Sequence, residues 1–238
     1  MATLPPLRQK ELERLVAKFA LDPVAARLDW ALLDLALTHS SASATDNYEQ
    51  LEFVGDAVVR LAAARFLWEN YADRPVGEFA AIRSILVSDR VLAEIAESYN
   101  LQRYLRVRGG TRNDRTATAP LLADAMEATI AALYLPTSDL SVVRSWLDLQ
   151  FAPRTEAILS DPARQNYKAA LQEWTQGHLK CLPVYEVEEA NVEHGSEERF
   201  SARILVNNEL WGEGKGRSRK LAQQAAARVA FQQYCQAT

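Results

Sequence analysis

The sequence predicts a mainly α-helical chain of two domains, and three observations lead to this prediction. Apolar residues recur at intervals of three and four through almost all of residues 1–150, as they do on amphipathic helices. The pattern changes at 159–166, where one helical segment gives way to alternating segments. The chain then closes with another helical segment. We therefore expect an all-α domain at 1–152, a linker at 153–165 and a small α-β-β-β-α domain at 166–238.

Several segments of the first domain have helical spacing. In chain order they are LRQKELERLVAKFAL, LEFVGDAVVRLAAARFLWENY, FAAIRSILVSDRVLAEIAESYNL, LLADAMEATIAALYL and LSVVRSWLDLQFA. No strand-like alternation of useful length interrupts them. The segment VRGGTRNDRTATAP (107–120) is polar and contains glycines, so it predicts a loop before the next helix.

The second domain begins with a predicted helix, YKAALQEWTQGH, which we expect to end at a glycine turn. PVYEVEEA and FSARILV alternate like half-buried strands, and ELWGEG follows as a third strand. Asn207 and Asn208 predict a tight hairpin turn between the second and third strands. Ser218 is suited to the N-cap of the last helix, SRKLAQQAAARVAFQQY.

Composition argues against several classes of protein. There is no run of about 18 uncharged apolar residues, so the sequence predicts no membrane-spanning helix. Cys181 and Cys235 do not make a disulfide framework, which favours a cytoplasmic location. The three histidines lack the spacing of a structural zinc site. The net charge is −4, but KGRSRK (215–220) concentrates four cations in six residues, and such a patch suits phosphate contact.

The first domain places carboxylates inside otherwise apolar helices. In NYEQLEFVGDAVV, residues Glu49, Glu52 and Asp56 fall within roughly a 60° arc of one helix face. Asp124 and Glu127 are three residues apart in LLADAMEATIAALYL and share one face of a second helix. Ionised carboxylates repel one another, and burying them without partners is costly. Positive charge must therefore reach both clusters.

The source of that charge has three possible explanations. No Lys or Arg occurs at 28–59 or at 116–143, although Arg60 lies one turn beyond Asp56. Asp56 could pair with Arg60 while the other acids face water. Distant arginines could form buried ion pairs. Alternatively, the two helices could pack and share divalent cations, since oxygen ligands suit Mg²⁺ or Mn²⁺, and two such ions can assist phosphodiester hydrolysis. The spacing alone leaves all three open.

These segments resemble the ribonuclease III family. YEQLEFVGDAVV is similar to the family's signature, and LLADAMEATIAALYL to its second acidic block, in the same order and at about the same separation. ALTHSSA (36–42) and GEFAAIRSILVSDRVLAEIA (77–96) resemble weaker blocks. The resemblance implies a Mg²⁺-dependent homodimeric endoribonuclease, with Mn²⁺ able to substitute. It would cleave double-stranded RNA to 5′-phosphate and 3′-hydroxyl ends and process ribosomal RNA precursors and other structured transcripts.

The resemblance also implies roles for the acidic residues. Asp56 and Glu127 match the two positions assigned to catalysis. Glu52, Asp124 and Glu127 match the positions that bind the metal. Glu49 matches a further acidic position nearer the subunit contact, and we leave it outside the site.

The second domain resembles the double-stranded RNA-binding domain. LQEWTQ (171–176) matches its first-helix motif, and GEGKGRSRKLAQQAA (212–226) matches its third region, whose glycines we expect to bring the backbone close to RNA. NVEH (191–194) replaces the usual Gly-Pro-x-His. Gln223 stands where a cation is often found, so we expect a weaker grip on RNA and a shallower salt dependence. The implied RNA contacts are Gln172, Glu173, Gln176, His194, Lys215, Arg219 and Lys220.

Two other functions compete with this one. A non-catalytic RNA-binding protein could retain an inactive nuclease domain for dimerisation, but that function predicts the loss of an acid, and all four are present. A helical nucleotide pyrophosphohydrolase also lines its helices with acids around Mg²⁺, but it leaves the second domain unexplained. The Walker spacing is absent, so we expect no nucleotide cofactor.

Overall fold

The computed structural model describes residues 4–21, 27–108, 115–161, 163, 166–189 and 198–235. It divides the chain into two compact units, Met1–Ala157 and Ile158–Thr238. The first is helical and the second combines a three-stranded sheet with helices, which confirms the predicted fold class. No helix in the described ranges is long and apolar enough to cross a membrane.

The first unit is helical throughout its described secondary structure. Its helices are α1 (Pro6–Lys18), α2 (Trp30–Ala36), α3 (Glu49–Asn70), α4 (Val76–Leu86), α5 (Asp89–Ser98), α6 (Arg115–Tyr134) and α7 (Leu140–Leu159), with a 3₁₀ turn at Leu101–Arg103. Asp29 caps α2 by accepting hydrogen bonds from the backbone N–H of Ala31 and Leu32. Residues 153–159, the first part of the predicted linker, are helical and belong to α7.

The core of this unit surrounds α3 and α6. Both helices bury small and branched residues along most of their length, among them Val59, Ala62, Met126 and Ile130. Burying a side chain of this size contributes about 1.5–3 kcal/mol, except for alanine, which contributes less. Because such contacts fix both helices against each other, the polar groups that they carry are held on a rigid support.

The prediction of a loop at 107–120 is wrong for its second half. Residues 109–114 lie outside the described residues, but α6 already begins at Arg115 and includes Pro120. A proline inside a helix removes one backbone hydrogen bond without ending the helix if the surrounding packing supports it. The threonine- and proline-containing segment therefore resembles a loop in the sequence although it forms the first turns of α6.

The second unit has the predicted α-β-β-β-α order. Its elements are α8 (Tyr167–His178), β1 (Val184–Glu189), β2 (Phe200–Val206), β3 (Glu209–Gly216) and α9 (Arg219–Tyr234). The sheet is antiparallel in the order β1-β2-β3. Its core joins apolar side chains of β2 and β3, including Ile204 and Trp211, to Leu171 of α8 and to the alanines of α9.

Local sequence explains most of these boundaries. Asn207 and Asn208 adopt positive φ values of 52° and 66°, as a tight hairpin turn requires, and confirm the predicted turn. The Ser218 side chain accepts a hydrogen bond from the Leu221 N–H at 3.2 Å and confirms the predicted N-cap. The predicted glycine turn after α8 is wrong, because Gly177 is helical and the left-handed residue that follows the helix is Lys180.

Candidate active site and RNA-binding surface

The candidate active site lies where α3 and α6 approach each other most closely. A Cβ atom at Gly55 would lie 1.9 Å from the carbonyl oxygen of Glu127, far inside van der Waals contact. Only glycine allows the two backbones to come this close. Since Asp56 follows Gly55 directly, the contact holds the acidic face of α3 beside the acidic face of α6.

Burial and mutual repulsion raise the pKa values of the carboxylates here. The pKa of Glu127 rises to about 8, mainly because the side chain is half-buried, and further because Asp56 and Glu52 lie nearby. Burial is also the main reason for the raised pKa of Glu52, and repulsion by Asp124 adds to it. The pKa of Asp124 is raised as well, mainly by burial. The structure therefore brings together the four acids that the sequence predicts.

Three further residues adjoin the acids. Asp89, the first residue of α5, raises the pKa values of Asp124 and Glu127 through its charge. His39 opposes the rise at Asp124. Tyr48 is buried, and its pKa is raised, mainly by burial and then by Asp124. Little in the sequence pointed to these residues, because Asp89 resembles an ordinary acid in the first turn of a helix and Tyr48 resembles an ordinary core residue.

One cation is held at the acidic face of α3. Arg60 donates from Nε to both carboxylate oxygens of Asp56, at 2.8 and 2.9 Å, and its Nη2 lies 2.8 Å from Oδ1. The hydrogen bond to Asp56 also raises the pKa of Arg60. In the described ranges no Lys or Arg forms an ion pair with Glu52, Asp124 or Glu127. The predicted pairing of Asp56 with Arg60 is therefore present, but it leaves Glu52, Asp124 and Glu127 without a Lys or Arg partner among the described residues.

The donor set suits a hard divalent cation. Its members supply carboxylate oxygens, the preferred ligands of Mg²⁺ and Mn²⁺. Positive charge between them would relieve the repulsion that raises their pKa values. The described residues contain no group of three or more His, Cys, Asp or Glu side chains already arranged to hold an ion. A bound ion would therefore have to draw these side chains closer together.

The first-helix motif of the second unit is exposed to solvent. The solvent side of α8 carries Gln172, Glu173 and Gln176. Leu171 and Thr175 lie on the opposite side of the helix and are fully buried. Gln172 and Gln176 are one turn apart on the same face. Their amides are therefore free to contact a ligand together.

The predicted cations of the second unit are exposed, but two of them have partners within the protein. Lys215 Nζ lies 2.8 Å from Glu198 Oε2. The Arg219 guanidinium lies 5.6 Å from the centre of the Phe200 ring, within cation–π range. Lys220 is exposed in the first turn of α9. His194, the remaining predicted contact, lies outside the described residues.

The glycines of β3 lie against the last helix. A Cβ atom at Gly214 would lie 2.2 Å from the backbone nitrogen of Ala226, and one at Gly216 would lie 2.7 Å from that of Ala222. These glycines therefore allow α9 to pack closely against the sheet. This packing role comes in addition to the approach to RNA that the sequence predicts.

Comparisons with known proteins agree with this arrangement of two domains and an acidic site. A helical unit with two acidic helices in contact, followed by an α-β-β-β-α unit, defines a class of two-domain enzymes that act on double-stranded RNA. Residues 29–147 match the family described as Ribonuclease-III-like, and residues 167–234 match the Double-stranded RNA binding motif.

Individual proteins extend the match over the whole chain. Ribonuclease 3 2 of Nostoc sp. is 56% identical over 231 residues, which cover 97% of this chain and 95% of that protein. Ribonuclease 3 2 of Synechocystis sp. is 45% identical, with 98% and 95% covered. The solved nuclease domain of ribonuclease III from Campylobacter jejuni superposes with a TM-score of 0.51 at 28% identity, covering 61% of this chain and 96% of that one. The chain belongs to the ribonuclease III family and is a double-strand-specific endoribonuclease.

Proposed function

We propose that the enzyme hydrolyses double-stranded RNA with Mg²⁺ held between α3 and α6, and that Mn²⁺ can substitute. Glu52, Asp124 and Glu127 would bind the metal, and Asp56 and Glu127 would act in catalysis. The observation that supports this most strongly is the raised pKa of Glu127, which lies half-buried among other carboxylates. Perturbed carboxylates in a rigid site are typical of catalytic groups.

The residues themselves have distinct tasks in this proposal. Bound Mg²⁺ would polarise water and neutralise charge on the phosphodiester. With a pKa near 8, the Glu127 carboxyl can hold a proton in neutral solution and release it when positive charge arrives. The Glu127 oxygens are thus suited to move a proton during hydrolysis. The products would be 5′-phosphate and 3′-hydroxyl ends.

The C-terminal unit would hold the duplex. The grooves of A-form RNA are recognised through ribose 2′-hydroxyls and phosphates rather than through base sequence. Gln172, Glu173 and Gln176 on exposed α8 suit the hydroxyls of a minor groove, whereas Arg219 and Lys220 at the start of α9 suit phosphates. Lys215 and His194 complete the proposed surface. Because residues 153–159 belong to α7, we place the linker after that helix, with the catalytic domain before it and the RNA-binding domain at 166–238.

An exposed apolar stripe on α3 supports a homodimer. Phe53, Leu61 and Trp68 point to the same side of this helix and are 82, 51 and 69% exposed. Exposed apolar residues in one continuous stripe are typical of protein interfaces. A two-fold dimer would cover the stripe with its own copy. The solved Campylobacter jejuni protein is also described with a region involved in dimer formation.

Cleavage assays test the proposal. The full-length protein is incubated with long duplex RNA, the corresponding single strand, or nucleoside triphosphates, each with Mg²⁺ or with chelator. We expect cleavage of the duplex alone, only with the metal, and product ends that a ligase accepts at the 5′-phosphate. Duplex cleavage in chelator would refute the metal site. Precursor ribosomal RNA and other structured transcripts are the proposed cytoplasmic substrates, and their cleavage is tested in the same way.

A further inference from the structure

Arg60 occupies a special position in the acidic site. It lies one turn after Asp56 on α3 and binds both oxygens of that carboxylate. Three hydrogen-bond or ion-pair distances between 2.8 and 2.9 Å define the pair. One of the two proposed catalytic acids is therefore held by a cation of the protein itself.

A divalent cation held by Glu52, Asp124 and Glu127 would lie near the Asp56 carboxylate, whose oxygens Arg60 binds. A guanidinium that binds a carboxylate on both oxygens covers the lone pairs directed toward it. A metal ion approaching Asp56 would also meet the positive charge of Arg60 at close range. Arg60 thus opposes a divalent ion in two ways: it neutralises the negative charge of Asp56 that would attract the ion, and its own positive charge repels the ion.

The pair is also weak enough to be displaced. The side chains of Arg60 and Asp56 are 52 and 41% exposed, so solvent screens their attraction. Exposed ion pairs four residues apart on a helix contribute little to the free energy of folding. Both residues lie on α3, so rotation of the arginine side chain is sufficient to release Asp56 without movement of the helix.

We propose that Arg60 is a positioning residue that holds Asp56 before a divalent cation binds and so raises the metal concentration at which the site fills. This inference rests on the proposed metal site. Arg60 would keep the carboxylate oriented on α3 until a divalent cation binds. On metal binding it would release Asp56 to the acidic cluster.

A second ion pair on α3 provides a matched control. Arg65 and Glu69 are also four residues apart, their Nη2–Oε1 distance is 2.9 Å, and their side chains are 55 and 39% exposed. This pair lies on the same helix but outside the acidic cluster. Arg65→Gln removes the same charge from the same helix as Arg60→Gln, and Glu69 keeps its second partner, Arg144. The variant therefore measures the effect of losing one α3 arginine outside the acidic cluster.

Titration calorimetry with Mn²⁺ alone, on the full-length protein without RNA, tests the proposal. A unit charge roughly 6 Å from a divalent ion in a solvated site changes its affinity about three- to tenfold. We therefore expect Arg60→Gln to bind Mn²⁺ about three- to tenfold more tightly than wild type. Arg65→Gln should match wild type, and Arg60→Lys, which keeps the charge but loses the fork, should lie between wild type and Arg60→Gln.

The Asp56→Asn background separates competition for Asp56 from general repulsion. With the carboxylate gone, Arg60→Gln should give a smaller gain in Mn²⁺ affinity, because there is no pair left to break. An equal gain in that background would contradict the proposal. So would unchanged or weaker Mn²⁺ binding in Arg60→Gln, or an equal gain in Arg65→Gln. If wild type binds no Mn²⁺, the proposed metal site itself fails, which is a different result from a failure of Arg60 alone.

Discussion

Glu127 and Lys220 represent two opposite ways of arranging charge in this enzyme. Glu127 is half-buried between rigid helices, and its pKa is raised mainly by this burial and further by neighbouring carboxylates. Lys220 is exposed on the first turn of α9. The carboxylates around Glu127 repel one another in the folded protein, and a bound cation can relieve this repulsion. The exposed charge of Lys220 can contact a phosphate and has little effect on the stability of the fold.

The difference teaches where the effect of a substitution will appear. Changes in the acidic site should alter catalysis and stability strongly, because the site is packed and its charges interact at short range. Changes on the RNA-binding surface should alter affinity modestly and in a salt-dependent way, because water and ions screen each contact.

The largest expected effect is on catalysis by the acidic site. Glu127→Gln keeps the shape of the side chain but loses its charge, so duplex cleavage in Mg²⁺ should fall about 10³-fold or more. Binding of duplex RNA, measured by filter retention, should not change. Glu97→Gln makes the same chemical change at an exposed position of α5 and should leave both unaffected. Unchanged turnover in Glu127→Gln would remove this residue from the site.

The next effect is on the stability of the acidic site. Gly55→Ala places a Cβ atom 1.9 Å from the Glu127 carbonyl oxygen, so α3 and α6 must separate. We expect the free energy of unfolding in urea to fall by about 3 kcal/mol. Gly77→Ala on α4 is the control, since its Cβ would meet nothing within 4 Å, and it should change stability by less than about 0.5 kcal/mol. Equal stability in the two variants would show that the close contact does not exist.

The stored repulsion should also be visible in the pH dependence of stability. The pKa of Glu127 is about 8 in the folded protein against an ordinary 4.5, so the folded state binds this proton more tightly. Its contribution to stability is present below about pH 4.5 and is lost as pH rises through 8. The raised pKa values of Glu52 and Asp124 act in the same direction.

Thermal unfolding in chelator measures this dependence. Wild type should lose stability between pH 5 and 8.5, in a window set by the pKa of Glu127, and Glu127→Gln should lose less. Added Mg²⁺ should restore stability in wild type at the upper end of the window but not in Glu127→Gln. Parallel curves for the two proteins would mean that the Glu127 carboxyl is not perturbed.

The smallest expected effect is on the RNA-binding surface. Lys220→Ala should weaken duplex binding by about three- to tenfold, equally for all duplex sequences, and lower the salt slope by about 1. Arg228→Ala removes a cation from the same helix beyond the matching region and should have little effect. Lys215→Ala should cost less than Lys220→Ala, because Lys215 is already paired with Glu198. Sequence-selective weakening in Lys220→Ala would contradict a phosphate contact.

Local sequence patterns predicted most of the fold, but they could not predict the contacts between segments that are distant in the chain. Ser218 and the two asparagines at 207–208 act on their own neighbours, so their roles can be inferred from short windows. The start of α6 depends on tertiary packing that overrides a proline, and the role of Gly214 depends on a helix that follows later in the chain.

The candidate site divides in the same way. The four acids could be predicted because their spacing places them on helix faces and because the segments resemble a known family. Asp89 and His39 could not, since only the fold brings them to the acids. Tyr48 is adjacent to Glu49 in the chain, but its proximity to Asp124 depends on the fold. The pairing of Lys215 with Glu198 was likewise hidden, because the two residues lie 17 positions apart in the chain.

The central claim is that a divalent cation binds between the carboxylates of α3 and α6. Crystals of the enzyme grown with Mn²⁺ and measured at a wavelength where manganese scatters anomalously test it directly. We predict an anomalous peak within coordination distance of Glu52, Asp124 and Glu127. A map without such a peak, in which a guanidinium lies among these three side chains, would contradict the account.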